Sequence, residues 1–242
     1  MTPTVLSRRR GLRALGAALL AAALLVGVAA CSIVGGSSSV PTSTAKPPSG
    51  TEGAVNFDKG YLQAGTGDKR VDVWVDPMCP FCGQFEKTNG ATIASAVSDG
   101  SITLRIHPLT FLDPNSNGTG YSTRAVAALT CVGVNDPDRM VEYFQALFKD
   151  QPEEGSSGLT DEELAKRATD LGIADIAGCL AKSGPYQAWA QRNTARALSG
   201  PVDVEGSTLK KIEQTPTVLV NGKQFSGDIT KANEFKTFLA AH

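Results

Sequence analysis

Cys79 and Cys82 stand two residues apart in the stretch VDVWVDPMCPFCGQF, residues 71 to 85. Two thiols at that spacing can hold half of a metal site, close a small staple, or cycle between dithiol and disulfide. A structural zinc site takes four ligands, commonly two such pairs. The other candidates, Cys131, Cys179, His107 and the terminal His242, are isolated in the sequence, so no metal is expected. A bridge across two residues closes almost no loop and contributes little as a staple. The redox couple is the favoured chemistry, and position supplies the reason. A thiol at the first turn of a helix meets free backbone N–H groups and the positive end of the helix dipole, both of which favour its thiolate. Cys79 is therefore assigned as the nucleophile and Cys82, about one turn further, as the resolving thiol. Pro80 suits the first helical position because the N–H it lacks is one the helix start does not use. Phe81 completes the dipeptide between the sulfurs.

The flanking elements must hold that geometry. KRVDVWVD (69–76) alternates apolar and polar residues as a strand does, and SITLRIHPL (101–109) is a second strand ended by Pro108. Between them Phe81, Phe85, Ile93 and Val97 recur at helical spacing, with Asn89-Gly90 as a candidate break. AVNFD (54–58) reads as a short edge strand. Residues 120–200 then change character, beginning with an Ala-rich helix from Tyr121 to Val134. Asp136-Pro137 starts a helix that places Met140, Phe144, Leu147 and Phe148 on one face. Thr160 and Glu163 form a capping-box pattern for the next helix, which Gly172 ends. Two more helical pieces follow around 173–182 and 186–198. PTVLV-NG-KQF is a hairpin with an Asn-Gly turn. DITKANEFKTFLAAH closes as a helix with Asp228 as its N-cap and Phe235, Phe238 and Leu239 facing inward. There is no internal repeat. Without the helical block, the order is that of an α/β thioredoxin fold: a βαβ unit joined to a ββα unit in one sheet.

A chain of 242 residues with 41% hydrophobic content and a formal charge of −1 is an ordinary globular protein, and no basic stripe points to nucleic acid. The charge is unevenly placed. Arg8, Arg9, Arg10 and Arg13, four of the 23 basic residues, precede residue 31 where there is no acid, which leaves 19 basic against 24 acidic residues in the remainder. They lead into ALGAALLAAALLVGVAAC, the pattern of a secretory signal over residues 1–30. VAAC resembles a lipobox, which would make Cys31 the acylated first residue of the mature chain. An uncleaved anchor is the alternative, because the uncharged run approaches the ~20 residues that span a bilayer. Either reading places the domain on the outer face of the cell membrane. SRRRGLR resembles a twin-arginine signal without the usual bulky residue after the arginines, and an ordinary basic leader is the simpler reading. Residues 31–53, rich in Ser, Gly, Pro and Thr, read as a flexible tether of roughly 25 Å mean reach. The folded part is expected to begin near Ala54.

QTPTVLVNG places Thr215-Pro216 at the start of the hairpin strand. With DVWVDPMCPFC, HPLTFLD, YSTRA and QPEEGSSGLT, it gives a chain that resembles the DsbA family of thioredoxin-fold disulfide oxidoreductases, in its secreted or membrane-tethered Gram-positive form. The resemblance covers nearly everything from residue 54 onward. It implies a thioredoxin-like domain made of 54–119 and 201–242, with 120–200 as a helical insertion capping the site. It also implies Cys79 and Cys82 as the redox pair, and Thr215-Pro216 as a cis-proline loop that offers the Thr215 backbone to a substrate strand. The expected activity is introduction of disulfides into reduced or unfolded exported proteins. No cofactor is expected; a membrane reoxidase of the DsbB or vitamin K epoxide reductase type would be the partner, and the protein itself a monomer. A reductase or isomerase is the alternative within this class, and a non-enzymatic binding lipoprotein the alternative outside it. Two departures bear on the reduction potential. Phe81 stands where the strongest oxidants of the family carry His, and Val73 stands where thioredoxins bury a carboxylate, six residues before the first cysteine. His107 and Asp76 are assigned structural roles at a strand end and a turn. Trp74 and Trp189 read as core or as substrate-facing apolar surface. With Cys31 assigned to lipid and Cys79 and Cys82 to redox chemistry, Cys131 and Cys179 remain, and export gives the oxidising surroundings for a structural disulfide between them.

Overall fold

The structure, a computed structural model, describes residues 40–242. The expected signal segment and Cys31 lie outside the described residues. Seven strands form one sheet in the order β1-β2-β3-β5-β4-β6-β7. They are β1 (Thr51–Glu52), β2 (Val55–Asn56), β3 (Tyr61–Ala64), β4 (Lys69–Val75), β5 (Ile102–Pro108), β6 (Thr217–Val220) and β7 (Lys223–Gln224). β4 and β5 run parallel, joined by α1 (Pro80–Ser98), while β3, β6 and β7 pair antiparallel with their neighbours. This is the α/β thioredoxin fold.

Both faces of the sheet are covered. Val71, Val73 and Val75 of β4 enter the main core. There Phe85 of α1 meets Phe235 of α7 (Ala232–Ala241) edge-on, with ring centroids 5.5 Å apart. Trp74, on the opposite face, packs with Leu109, Ile212 and Leu219. The polar position at the centre of β4 is therefore not a solvent position. Asp72 is buried and accepts from Arg70 Nε and pairs with His107 Nε2, each at 2.9 Å.

Between Tyr121 and Ser199 the chain is helical: α2 (Tyr121–Asn135), α3 (Met140–Phe148), α4 (Asp161–Asp170), α5 (Ala177–Leu180) and α6 (Gly184–Ser199). α4 opens with the complete capping box of Thr160 and Glu163. Cys131 of α2 and Cys179 of α5 are joined by a disulfide, with Cα atoms 6.0 Å apart. The hairpin turn has Asn221 at φ 47° and Gly222 at φ 80°, the left-handed pair that matches the twist of its strands.

Four details depart from the sequence reading. The tether does not extend to residue 53. Ser43 donates its hydroxyl to Gly184 O (2.7 Å), Gln191 donates to Pro41 O (2.9 Å), and β1 already belongs to the sheet, so the folded part begins well before Ala54. β3 has no counterpart among the expected strands, because four residues between glycines carry too short an alternation. α1 is unbroken through Asn89-Gly90, because Asn89 donates to Phe85 O and Ile229 O and both residues are buried. α7 starts at Ala232 rather than behind Asp228, whose carboxylate instead accepts from the N–H and hydroxyl of Thr230 in the preceding turn.

Candidate active site

Cys79 is the N-cap of α1 and Pro80 is its first residue. The Cys79 N–H donates to Asp76 O (3.0 Å), and its carbonyl accepts from Gly83 N–H (3.1 Å), so the loop closes directly into the helix. Cys79 and Cys82 are free thiols, and Cys82 is fully buried one turn inside. The two sulfurs differ sharply. A hydrogen bond from Cys82, aided by Thr215 and by the backbone N–H groups of Cys82 and Phe81, lowers the Cys79 pKa to about 6 against the opposing effect of burial. Burial raises that of Cys82 well above the ordinary thiol value, reinforced by its bond to Cys79 and the charge there. One sulfur is a thiolate at neutral pH and the other a protonated donor to it.

Thr215, from the loop before β6, completes the wall. Its carbonyl lies 3.5 Å from Cys79 Sγ, and its peptide bond to Pro216 is cis. The buried Thr215 hydroxyl has no conventional partner among the described residues and adds to the stabilisation of both thiolates. Phe81, between the two cysteines, stands out to solvent with 58% exposure. Phe81 therefore belongs to the exposed apolar face around the pair rather than to the core stripe begun by Phe85. Among the described residues no group of three His, Cys, Asp or Glu is placed to hold a metal ion.

Two side chains hold the CxxC loop: Asp76, expected only as a turn residue, and Gln151, which has no assigned role in the sequence. Asp76 is buried and accepts three hydrogen bonds, from Met78 N–H (2.9 Å) and the Ser122 hydroxyl (2.6 Å) at Oδ1, and from Leu112 N–H (3.0 Å) at Oδ2. Burial raises its pKa to about 7 despite these donors. It is a bracket between the CxxC loop, the segment after β5 and α2. Its signal was an acid immediately before Pro77, which a turn explains equally well. Gln151, just beyond α3, donates from Nε2 to the carbonyls of Pro77 (2.8 Å) and Cys79 (3.0 Å). A side chain at Gly83 would collide with Gln151 Oε1, so the glycine admits this clamp. No local pattern marks Gln151. His107 and the two tryptophans stay away from the sulfurs. His107 stacks on Trp74 at 4.1 Å and is tied to Asp72, while Trp189 donates to Phe57 O (3.0 Å) in the core.

Gln151→Leu keeps the volume of the clamp and removes both donors. It is expected to lower stability by about 1–2 kcal/mol, the usual effect of leaving two partly buried carbonyls short of a partner. Because Cys79 then sits less firmly at the first turn, the midpoint of its thiolate absorbance titration should rise above about 6. Loss of stability with an unchanged midpoint would make Gln151 a structural residue only.

The chain is thus a thioredoxin-fold protein with a helical insertion and a CxxC pair at the start of α1. A sequence model of the thioredoxin family matches residues 65–241, and the chain belongs to that family. In architecture it is similar to the reduced form of the disulfide bond oxidoreductase DsbG from Mycobacterium tuberculosis. That match has a TM-score of 0.61 and 23% identity, covering 75% of this chain and 86% of the other. It is also similar to the thiol-disulfide oxidoreductase MdbA of Actinomyces oris, with a TM-score of 0.60 and 16% identity, covering 84% of this chain and all of the other. Among curated sequences, the serine/threonine-protein kinase PknE of Mycobacterium tuberculosis is 37% identical over 150 residues. That match takes in 59% of this chain and 26% of the kinase, so the chain spans about a quarter of the length of that relative.

Proposed function

We propose that this protein is an extracytoplasmic thiol–disulfide oxidoreductase that introduces disulfides into exported proteins through Cys79 and Cys82. The observation that carries the reading is the asymmetry of the two thiols, one held as a thiolate at the helix tip and one buried and protonated. In the oxidised protein, a substrate thiolate attacks Cys79 Sγ. The Cys79–Cys82 bond breaks, a mixed disulfide forms, and the leaving Cys82 sulfur takes up a proton. A second substrate thiolate then attacks its partner's sulfur and expels Cys79 as a thiolate. The substrate leaves as a disulfide and the protein keeps two electrons as a dithiol. Reoxidation is assigned to a membrane protein of the DsbB or vitamin K epoxide reductase type.

A stabilised Cys79 thiolate favours the reduced form and so makes the disulfide the better oxidant. The sign follows from linkage. A thiol pKa lowered from 9.0 to about 6 contributes fully above pH 9 and is lost as pH falls through 6. At pH 7 the contribution is about one pKa unit, near 1.4 kcal/mol or about 30 mV. Because Cys82 stays protonated, the potential should fall by about 59 mV per pH unit below pH 6 and by about 30 mV above it. Equilibration with glutathione across pH 4–9 tests this. A potential near about −270 mV at pH 7, in the range of thioredoxin, would replace the oxidase by a reductase. With Phe81 in place of a His, the expected oxidant is weaker than the extreme members of the DsbA family.

Placement outside the cytoplasm rests on the leader and on the Cys131–Cys179 disulfide, a bond suited to oxidising compartments. Cys31 is assigned as the lipid-bearing first residue. Mass spectrometry of the mature protein should find a diacylglyceryl group on Cys31, and residues 1–30 still attached would favour an uncleaved anchor.

A further inference from the structure

Gly90 lies in the middle of α1, where glycine is a poor helix former. The position is occupied in another way. A Cβ there would collide with Glu86 Oε1 and stand 3.1 Å from Gln145 Nε2. The glycine thus makes room for a carboxyl group laid along the helix.

Glu86 is 9% exposed and forms no ion pair among the described residues. Burial raises its pKa to about 7, opposed only by Gln145. It lines a cleft of about 650 Å³ between α1 and the end of α3, which starts at Pro80, passes Gly83 and Gln151, and ends at Ala91 and Phe148. The other ionisable residues of the cleft, Lys87, Lys149 and Asp150, are exposed at its rim, so Glu86 is the one buried ionisable group that lines it. Burial drives Glu86 toward its protonated form, and a cationic side chain entering the cleft would replace that proton and pair with the carboxylate it leaves.

We propose that this cleft is a subsite for a lysine or arginine side chain of a polypeptide substrate, placed about three residues from the cysteine that reacts with Cys79. The spacing follows from helix and strand geometry. Glu86 is seven residues beyond Cys79, roughly 10 Å along α1 at about 1.5 Å per residue. An extended polypeptide covers that distance in about three residues at ~3.3 Å each. The methylene stem of the bound side chain lies against Phe148 and Ala91 while its cationic end meets Glu86 and Gln145. The inference rests on the oxidoreductase reading and adds a preference among its substrates.

The test uses dithiol peptides that carry one lysine, arginine or norleucine at each position from one to six residues on either side of the reacting cysteine. Oxidation by the oxidised full chain is timed and normalised to each peptide's rate with oxidised glutathione, which removes the intrinsic effect of the charge on the thiol. The expected profile for lysine and arginine over norleucine peaks about tenfold, an ordinary discrimination for a charged hydrogen bond, near three residues on one side. It falls to about one elsewhere. Glu86→Gln should bring the peak to about one. A flat profile with an active wild-type protein overturns the subsite and leaves the oxidoreductase reading standing, and a peak that survives Glu86→Gln overturns the assignment to Glu86. Failure of the wild-type protein to oxidise any peptide overturns both readings.

Discussion

Cys82→Ala is expected to accumulate mixed disulfides between Cys79 and disulfide-containing polypeptides, with lifetimes at least about 10³-fold longer than in the wild type. When the Cys79 thiolate attacks a substrate disulfide, one S–S bond breaks, one forms, and the substrate releases a thiolate. In the wild type Cys82, held beside Cys79, then displaces the substrate. Positioned groups of this kind reach effective molarities of about 10⁵ M or more, so losing Cys82 leaves only slow attack by external thiols. Cys79→Ala should accumulate no such complex and lose at least about 10³-fold of the exchange rate. At pH 7 a thiol of pKa about 6 is ~90% thiolate, whereas burial holds Cys82 protonated. Trapping with a reduced-and-reoxidised test protein, followed by non-reducing electrophoresis, reads both variants. Complexes formed through Cys82 in Cys79→Ala would reverse the assignment of nucleophile and resolving thiol.

Replacing Cys131 and Cys179 together by Ala should destabilise the protein by about 4 kcal/mol, the chain-entropy figure for a bridge across a 48-residue separation. For a domain of about 200 residues that corresponds to a fall in Tm of roughly 10 °C. The bond ties α5 to α2, and α2 is buried along most of its length, with Tyr121, Val126, Leu129 and Val132 in the main core. Ser122 of the same helix donates to Asp76, so loosening α2 also loosens the bracket behind the redox loop. Urea unfolding of the double variant and the wild type measures the effect. A change below about 1 kcal/mol would mean that the helices hold together by packing alone.

What depends on a few neighbouring residues is legible in the amino-acid chain. A β-branched run into a Cys-Pro-x-Cys fixed β4, the helix start and Cys79 at the helix tip, because Pro80 and the thiol each suit that first turn. Thr160 with Glu163 fixed a helix start, and Asn221-Gly222 fixed a hairpin, since each is satisfied within its own turn. Whatever requires distant groups to meet emerges only on folding. Thr215 reaches Cys79 across 136 residues, a meeting that only the family resemblance of QTPTVLVNG implied, and Gln151 reaches it across 72 with no local pattern to mark the contact. Asp76 looked like a turn residue until Leu112 and Ser122 closed around it. Gly90 looked like a helix break, and only packing against α3 showed that the missing Cβ makes room for Glu86. Residues 40–53 read as tether because their composition builds no core of their own, yet Gln191 and Gly184 hold them by hydrogen bonds that composition does not encode. Propensity and periodicity report the backbone's local choices, whereas burial, pairing of polar groups and the difference between two thiols are set by neighbours that only folding supplies.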